Sequence, residues 1–125
     1  MTGTTLDTGA LIALEAGHRR MAVLVEEAVT NGTLLAIPAG VLAQAWRGGS
    51  RQARLARLLR SSVCTVVPLD QRSALRVGAL CAATGASDVV DVSVAICARD
   101  RGHAVVTTDA ADLRAIDPSI PLLRP

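Results

Sequence analysis

The stretch GTTLDTGALIALEAG, residues 3–17, decides how the chain folds. Gly3 to Asp7 reads as a short strand, and Thr8 to Ala16 has helical composition until Gly17 stops it. A strand feeding a helix is the first half of a βαβ unit, and the rest of the chain repeats the alternation. Arg19 to Thr30 predicts a helix with Met21, Leu24, Val25 and Ala28 on one face, ended by Asn31-Gly32 before the apolar strand Leu34 to Ile37. Pro38 suits the start of a helix over Ala39 to Trp46. Gly48-Gly49-Ser50 breaks that helix, and a second, capped by Ser50, is expected over Arg51 to Arg60. Cys64 to Val67 is a mainly β-branched strand, Asp70 to Thr84 a helix closed by Gly85, and Asp88 to Arg101 a helix apolar on most sides and so deeply buried. Ala104 to Thr107, Ala110 to Ala115 and a stretch around Ile120 to Leu123 complete the series as strand, short helix and strand. Such alternation implies a parallel sheet covered on both faces. No repeat, low-complexity tract or linker interrupts it, so residues 1–125 read as one domain.

Composition narrows the function. Half of the 125 residues are hydrophobic and 19% are charged, enough apolar material for a core without disulfides or a structural metal. No apolar run approaches the ~20 residues of a bilayer span, and no signal peptide opens the chain, so a soluble, cytoplasmic protein with no membrane partner is expected. Cys64, Cys81 and Cys97 match no zinc, redox or haem spacing and read as buried thiols. All 13 basic residues are arginine. Without lysine, a Walker A loop, a Schiff-base enzyme and the usual aspartyl phosphotransfer sites are disfavoured. Trp46 is the only aromatic residue. Stacking platforms for nucleic acid are therefore excluded, and any such contact must use arginine, metal and backbone. The net charge of +2 permits a phosphate-bearing partner without requiring one.

Ligands of open parallel α/β sheets bind outside the carboxyl ends of the strands. Asp7 ends the first strand, Asp109 follows a later one in Thr107-Thr108-Asp109, and Asp88 and Asp91 project from one face of the first turn of the buried helix. Taken singly, Asp88 and Asp109 suit helix caps, and Asp91 suits a first turn by the helix dipole. Asp7 is different, because an acid at the end of a core strand is a costly neighbour for other acids unless a cation joins them. Carboxylates without cysteine or histidine favour Mg²⁺ or Mn²⁺ over zinc. Metal-assisted attack of water on a phosphodiester is the chemistry such a site supports best.

Asp7-Thr8-Gly9-Ala10-Leu11-Ile12-Ala13-Leu14, Ile37-Pro38 through Trp46-Arg47-Gly48-Gly49, Asp88 through Ala98, and Thr107-Thr108-Asp109 with Asp112-Leu113 resemble, in order and spacing, the signatures of PIN-domain proteins. Within that family the chain is most similar to VapC-type toxins of bacterial toxin-antitoxin pairs. The resemblance implies a three-layer α/β/α sandwich with a mostly parallel central sheet. It also implies a Mg²⁺- or Mn²⁺-dependent endoribonuclease that is homodimeric, restrained by a cognate antitoxin, and in contact with operator DNA only through that antitoxin. By the same resemblance Asp7 and Asp91 hold metal, Asp109 with Asp88 positions a second ion or the attacking water, and the hydroxyls of Thr8 and Thr107 support them.

Gln44 departs from the pattern, standing where the family carries a glutamate. Glutamine keeps the length and one acceptor oxygen but has no charge, so it binds a cation less strongly and cannot act as a base. A natural member with altered metal binding and an enzyme disabled by an isosteric change both fit. An alternative function is a catalytically weak PIN domain acting mainly as an antitoxin-binding, autoregulatory component. Glu15, Glu26 and Glu27 read as solvated surface acids that do not replace the missing glutamate. Arg47, Arg51, Arg54, Arg57 and Arg60 recur at helical spacing, as a solvated face or as a strip for RNA phosphates. Leu55, Leu58 and Leu59 beside them are expected in the core, with an antitoxin groove as the other reading. His18 and His103 lie in turns and are poor catalytic candidates. The serines lack a histidine–acid pair, which rejects a serine hydrolase.

Overall fold

In a computed structural model of the chain, residues 3–125 are described. Five strands, β1 (Thr4–Leu6), β2 (Leu35–Pro38), β3 (Cys64–Val67), β4 (Ala104–Val106) and β5 (Leu122–Leu123), form one sheet in the order β3-β2-β1-β4-β5. Every pairing is parallel. Between them run α1 (Thr8–Glu15), α2 (Arg19–Asn31), α3 (Ala39–Ala45), α4 (Ala53–Arg60), α5 (Gln71–Thr84), α6 (Val89–Arg101) and α7 (Ala110–Ile116).

Strand order fixes the layers. From β1 the chain steps outward through β2 to β3, then crosses back to β4 and β5 on the other side of β1. With right-handed crossovers, the two directions of travel place α1–α4 on one face and α5–α7 on the other. The result is an α/β/α sandwich whose strand order reverses between β1 and β4, where the Asp7 amide donates to the Val106 carbonyl at 3.1 Å. Such a switch point opens a crevice at the strand ends, and it is here that Asp7 emerges.

The strands are short but buried. Leu6, Ile37, Val105 and Val106 are fully enclosed, and Leu11, Met21, Val41 and Leu55 pack with them from the first helical layer. Each such side chain contributes roughly 1.5–3 kcal/mol relative to exposure. Leu58 belongs to the same core, with Leu59 packed against it, so the core reading of these leucines is the one the fold adopts. From the second layer α6 buries Val92, Val94, Ala95, Cys97 and Ala98, as expected of a helix apolar on most sides. His103 is buried as well, with Nδ1 3.0 Å from the Thr5 hydroxyl, a satisfied core histidine at the start of β4, away from the carboxyl ends of the strands.

Three local expectations fail. Ser50 does not cap a helix beginning at Arg51: Ser50–Gln52 is a 3-10 turn, and α4 starts at Ala53. The cause is Gln52, whose Oε1 accepts from the Arg47 and Gly48 amides at 2.7 and 2.8 Å while its Nε2 donates to the Ala45 carbonyl at 2.7 Å. That knot, with Gly48 and Gly49 in left-handed conformations at φ 77° and 94°, holds residues 46–49 out of any helix. Of the five arginines, Arg54, Arg57 and Arg60 lie on α4, whereas Arg51 lies in the 3-10 turn and Arg47 in the loop before it. Among the cysteines only Cys97 is buried; Cys64 and Cys81 are partly covered, because β3 is an edge strand and α5 lies largely exposed. No single helix among the described residues is long and apolar enough to cross a membrane.

Candidate acidic active site

Asp7 follows β1 and is the N-cap of α1, its Oδ1 accepting from the Ala10 amide at 2.9 Å. Burial raises its pKa, with a smaller push from Asp109, against the Thr107 hydroxyl and the Ala10 and Thr108 amides, which favour the ionised form. Only 6% of Asp7 is exposed. Thr107, itself buried, also accepts from the Asp109 amide at 2.8 Å, so one hydroxyl organises the ends of both central strands.

Asp88 caps α6, its Oδ1 accepting from the Val90 and Asp91 amides at 2.9 and 3.1 Å. This is the capping role its position suggests. Asp109 departs from that role: it occupies the N-cap position of α7 but makes no side-chain cap bond. Asp91, on the first turn of α6, has its pKa pushed up to about 6, first by burial and then by the carboxylates of Asp88, Asp109, Asp112 and Asp7. The ion pairs among the described residues, Arg76–Asp100 and Arg99–Asp117, lie elsewhere. Five carboxylates thus repel one another at one rim, and among the described residues no arginine pairs with any of them.

Gln44 reaches this rim from α3. The Thr8 hydroxyl donates to its Oε1 at 2.5 Å, which ties α3 to the residue after Asp7. Thr8 and Gln44 therefore stand together beside Asp7, while Asp88, Asp91 and Asp112 share an adjoining cleft of about 300 Å³ with Thr84, Ser87 and Ile116.

Asp112 is a rim acid not singled out among the candidate site residues above. Its signal was its place three residues after Asp109, one helical turn along α7. Gly9 is a second omission. A Cβ there would lie 2.8 Å from Thr108 Cγ2, closer still to its hydroxyl, so the missing side chain is what lets the β4–α7 loop approach α1. A glycine inside a helix's first turn costs about 1 kcal/mol in propensity, and that cost was the signal available in the sequence.

The donor chemistry fits a hard divalent cation, since carboxylate oxygens dominate and their charge is uncompensated. No three His, Cys, Asp or Glu side chains among the described residues already converge tightly enough to hold an ion. A preformed cage is not required by Mg²⁺, which keeps several waters and takes one or two carboxylates together with substrate phosphates. Asp91, Asp109 and Asp112, whose carboxylates make no cap bond or ion pair, are the members free to turn toward such an ion, with Asp7 held by the Ala10 amide.

A family model described as PIN domain matches residues 4–117. Comparison with curated proteins returned no match. Among solved structures the chain is similar to VapBC2 from Rickettsia felis bound to a DNA fragment from their promoter, with a TM-score of 0.69 and 19% identity, covering 97% of each chain. It is also similar to FitAB bound to an IR36 DNA fragment, with a TM-score of 0.63 and 15% identity, covering 97% of this chain and 94% of that one. At these identities the structural likeness is one of fold.

Proposed function

Because the chain belongs to the PIN-domain family, we propose that it is a Mg²⁺- or Mn²⁺-dependent endoribonuclease, the VapC-type toxin of a toxin-antitoxin pair, attenuated in this chain by Gln44. The observation that carries the reading is Asp91: a partly buried carboxylate facing four others with no cation of the protein's own. Such repulsion persists in a fold only where something offsets it, and a divalent ion on a phosphodiester substrate does so.

When bound, the ion activates water and neutralises charge on the phosphate. The chain's own residues set the geometry. Asp7, anchored by the Ala10 amide and the Thr107 hydroxyl, and Asp91 would hold the ion; Asp109 and Asp88 would orient the attacking water or a second ion; Thr107 fixes the Asp7 carboxylate, whereas the Thr8 hydroxyl is engaged by Gln44 and supports no carboxylate as the resemblance had implied. Gln44 offers an uncharged oxygen already engaged by Thr8, so it can neither neutralise an ion nor take a proton.

The solved structures of similar fold are of proteins bound to DNA, which supports a complex in which this chain meets operator DNA through its antitoxin. The reading includes a homodimer working in the cytoplasm. A groove between α2 and α4, floored by Leu14, Val25 and Leu58 and rimmed by Glu26 and Arg57, suits an amphipathic segment of the antitoxin.

Cleavage of total RNA with Mg²⁺ or Mn²⁺ tests the proposal. Gln44→Glu is expected to cut about 10- to 100-fold faster than the parent, with Asp7→Ala in the same background inactive. Cutting by neither form would refute the nuclease reading and favour the second one, an antitoxin-binding and autoregulatory component. The Thr8–Gln44 bond favours that second reading, because it closes the rim with a neutral pair.

A further inference from the structure

Two ends of α1 hold one arm of the molecule. At its start, Thr8 bonds Gln44 of α3. At its end, the Glu15 Oε1 accepts from the Leu55 amide at 2.9 Å, across 40 residues. That amide is one of the orphan donors of α4's first turn, and the residue in its N-cap position, Gln52, makes no side-chain cap bond because its amide is spent on the 46–49 loop. Glu15 is therefore not the solvated surface acid expected from the sequence but the cap of a helix in another segment.

The contact is reciprocal. Arg54 Nη1 donates to the Glu15 carbonyl at 3.3 Å, and its guanidinium lies over the turn at Gly17, where a Cβ would stand 3.4 Å from Nη2. A negative charge thus meets the N-terminus of α4 and a positive charge the C-terminus of α1, the favourable sense for both helix dipoles. The Glu15 Oε2 is buried without a hydrogen-bond partner. Glu15 is thus held twice by the start of α4, through its side chain by the Leu55 amide and through its main-chain carbonyl by Arg54.

We propose that Glu15 and Arg54 form a positioning clasp that fixes the arm from Trp46 to Arg60 on α1, and so presents the exposed Arg51, Arg57 and Arg60 to RNA phosphates. This rests on the ribonuclease reading above. Two of the five arginines are engaged internally, Arg54 in the clasp and Arg47 on the Ala43 and Trp46 carbonyls, so the phosphate-binding set is the remaining three. For a single strand, three contacts give a slope of log affinity against log salt of about −2, where five would give about −3.5.

The test combines hydrogen–deuterium exchange of the free protein with binding of a fluorescein-labelled, mixed-sequence single-stranded RNA in EDTA. Glu15→Ala is expected to speed exchange in peptides spanning residues 43–60, leave α6 unchanged, and weaken RNA binding roughly five- to tenfold. Glu15→Gln keeps the accepting oxygen and is expected to restore both readouts to within about twofold. Arg54→Ala, which leaves the buried acceptor in place, guards against a misfolded Glu15→Ala and should loosen the same peptides. Unchanged exchange in all variants would overturn the clasp. Loosened exchange with unchanged affinity would overturn its role in presenting the arginines. Absence of RNA binding by the parent protein would refute the ribonuclease reading and the arginines' role with it, leaving the clasp to be decided by exchange alone.

Discussion

Replacing Asp91 with asparagine should stabilise the protein in a chelator, and by an amount that depends on pH in a defined direction. In the folded protein burial and four neighbouring carboxylates push the Asp91 pKa to about 6, from an ordinary 3.8. The fold therefore prefers the protonated form. Its contribution is fully present below pH 3.8, is lost as pH rises through about 6, and above that the ionised group is a net burden. Two pKa units correspond to roughly 3 kcal/mol as an upper bound, at 1.36 kcal/mol per unit. Asp91 is only partly buried, so solvent screening reduces this to about 1 kcal/mol. The asparagine side chain carries no charge to penalise. Urea denaturation in EDTA should give Asp91→Asn and parent equal stability near pH 4 and a variant about 1 kcal/mol more stable at pH 8, or roughly 3–5 °C in Tm. Adding Mg²⁺ at ten times its Kd should raise parental stability by about 1.4 kcal/mol and that of the variant by much less. A difference between the two proteins that is constant from pH 4 to 8 would refute the electrostatic reasoning, since a packing effect does not titrate.

By the same electrostatics Gln44→Glu acts in the opposite sense: a sixth charge near Asp7 should lower stability in EDTA by about 0.5–1 kcal/mol and increase the thermal shift given by Mn²⁺, both read by calorimetry. Gly9→Ala should reduce cleavage by the Gln44→Glu protein at least about tenfold, because Thr108 must shift and carries Asp109 with it; helix propensity offsets part of the cost, so Tm should move by only a few degrees. Burial lowers the pKa of His103, so its contribution to stability is complete above pH 6.5 and is lost as pH falls below it. Imidazole NMR should show His103 titrating below 6.5, and a normal titration would contradict its burial against Thr5.

The element order was legible because four of the seven helices among the described residues announce their own ends. Gly17, Gly32, Gly85 and Gly102 all stand in left-handed conformations one or two residues past a helix, a local requirement that local sequence displays. Asp7 was legible for a similar reason, since its position at a strand end needs no knowledge of partners. What stayed hidden depends on contacts between distant segments. Ser50 and Gln52 are both plausible at the start of α4, and only the folded loop shows Gln52 spent on Arg47 and Gly48, with Glu15 capping in its place. Whether an aspartate's carboxylate is used by its own helix is also invisible in sequence: Asp88 and Asp109 occupy equivalent N-cap positions, yet only Asp88 makes the bond.

That last contrast is where fold and chemistry meet. A carboxylate that caps an exposed helix start is held by backbone amides and satisfied by them, so it costs little to keep and adds rigidity. Asp88 is of this kind; Asp7 is capped as well, yet burial still raises its pKa. Asp91 and Asp109 have no such employment, and their mutual repulsion is a cost the protein carries in the absence of a cation. Gln44 reduces that cost by contributing a neutral oxygen, itself quieted by Thr8, at a point where another acid would have joined the group. The rim thus trades cation affinity for ease of folding. Above the pH at which Asp91 ionises, strain of this kind is released by a ligand bearing positive charge, which is why the division between capped and free carboxylates, more than the number of aspartates, identifies the site.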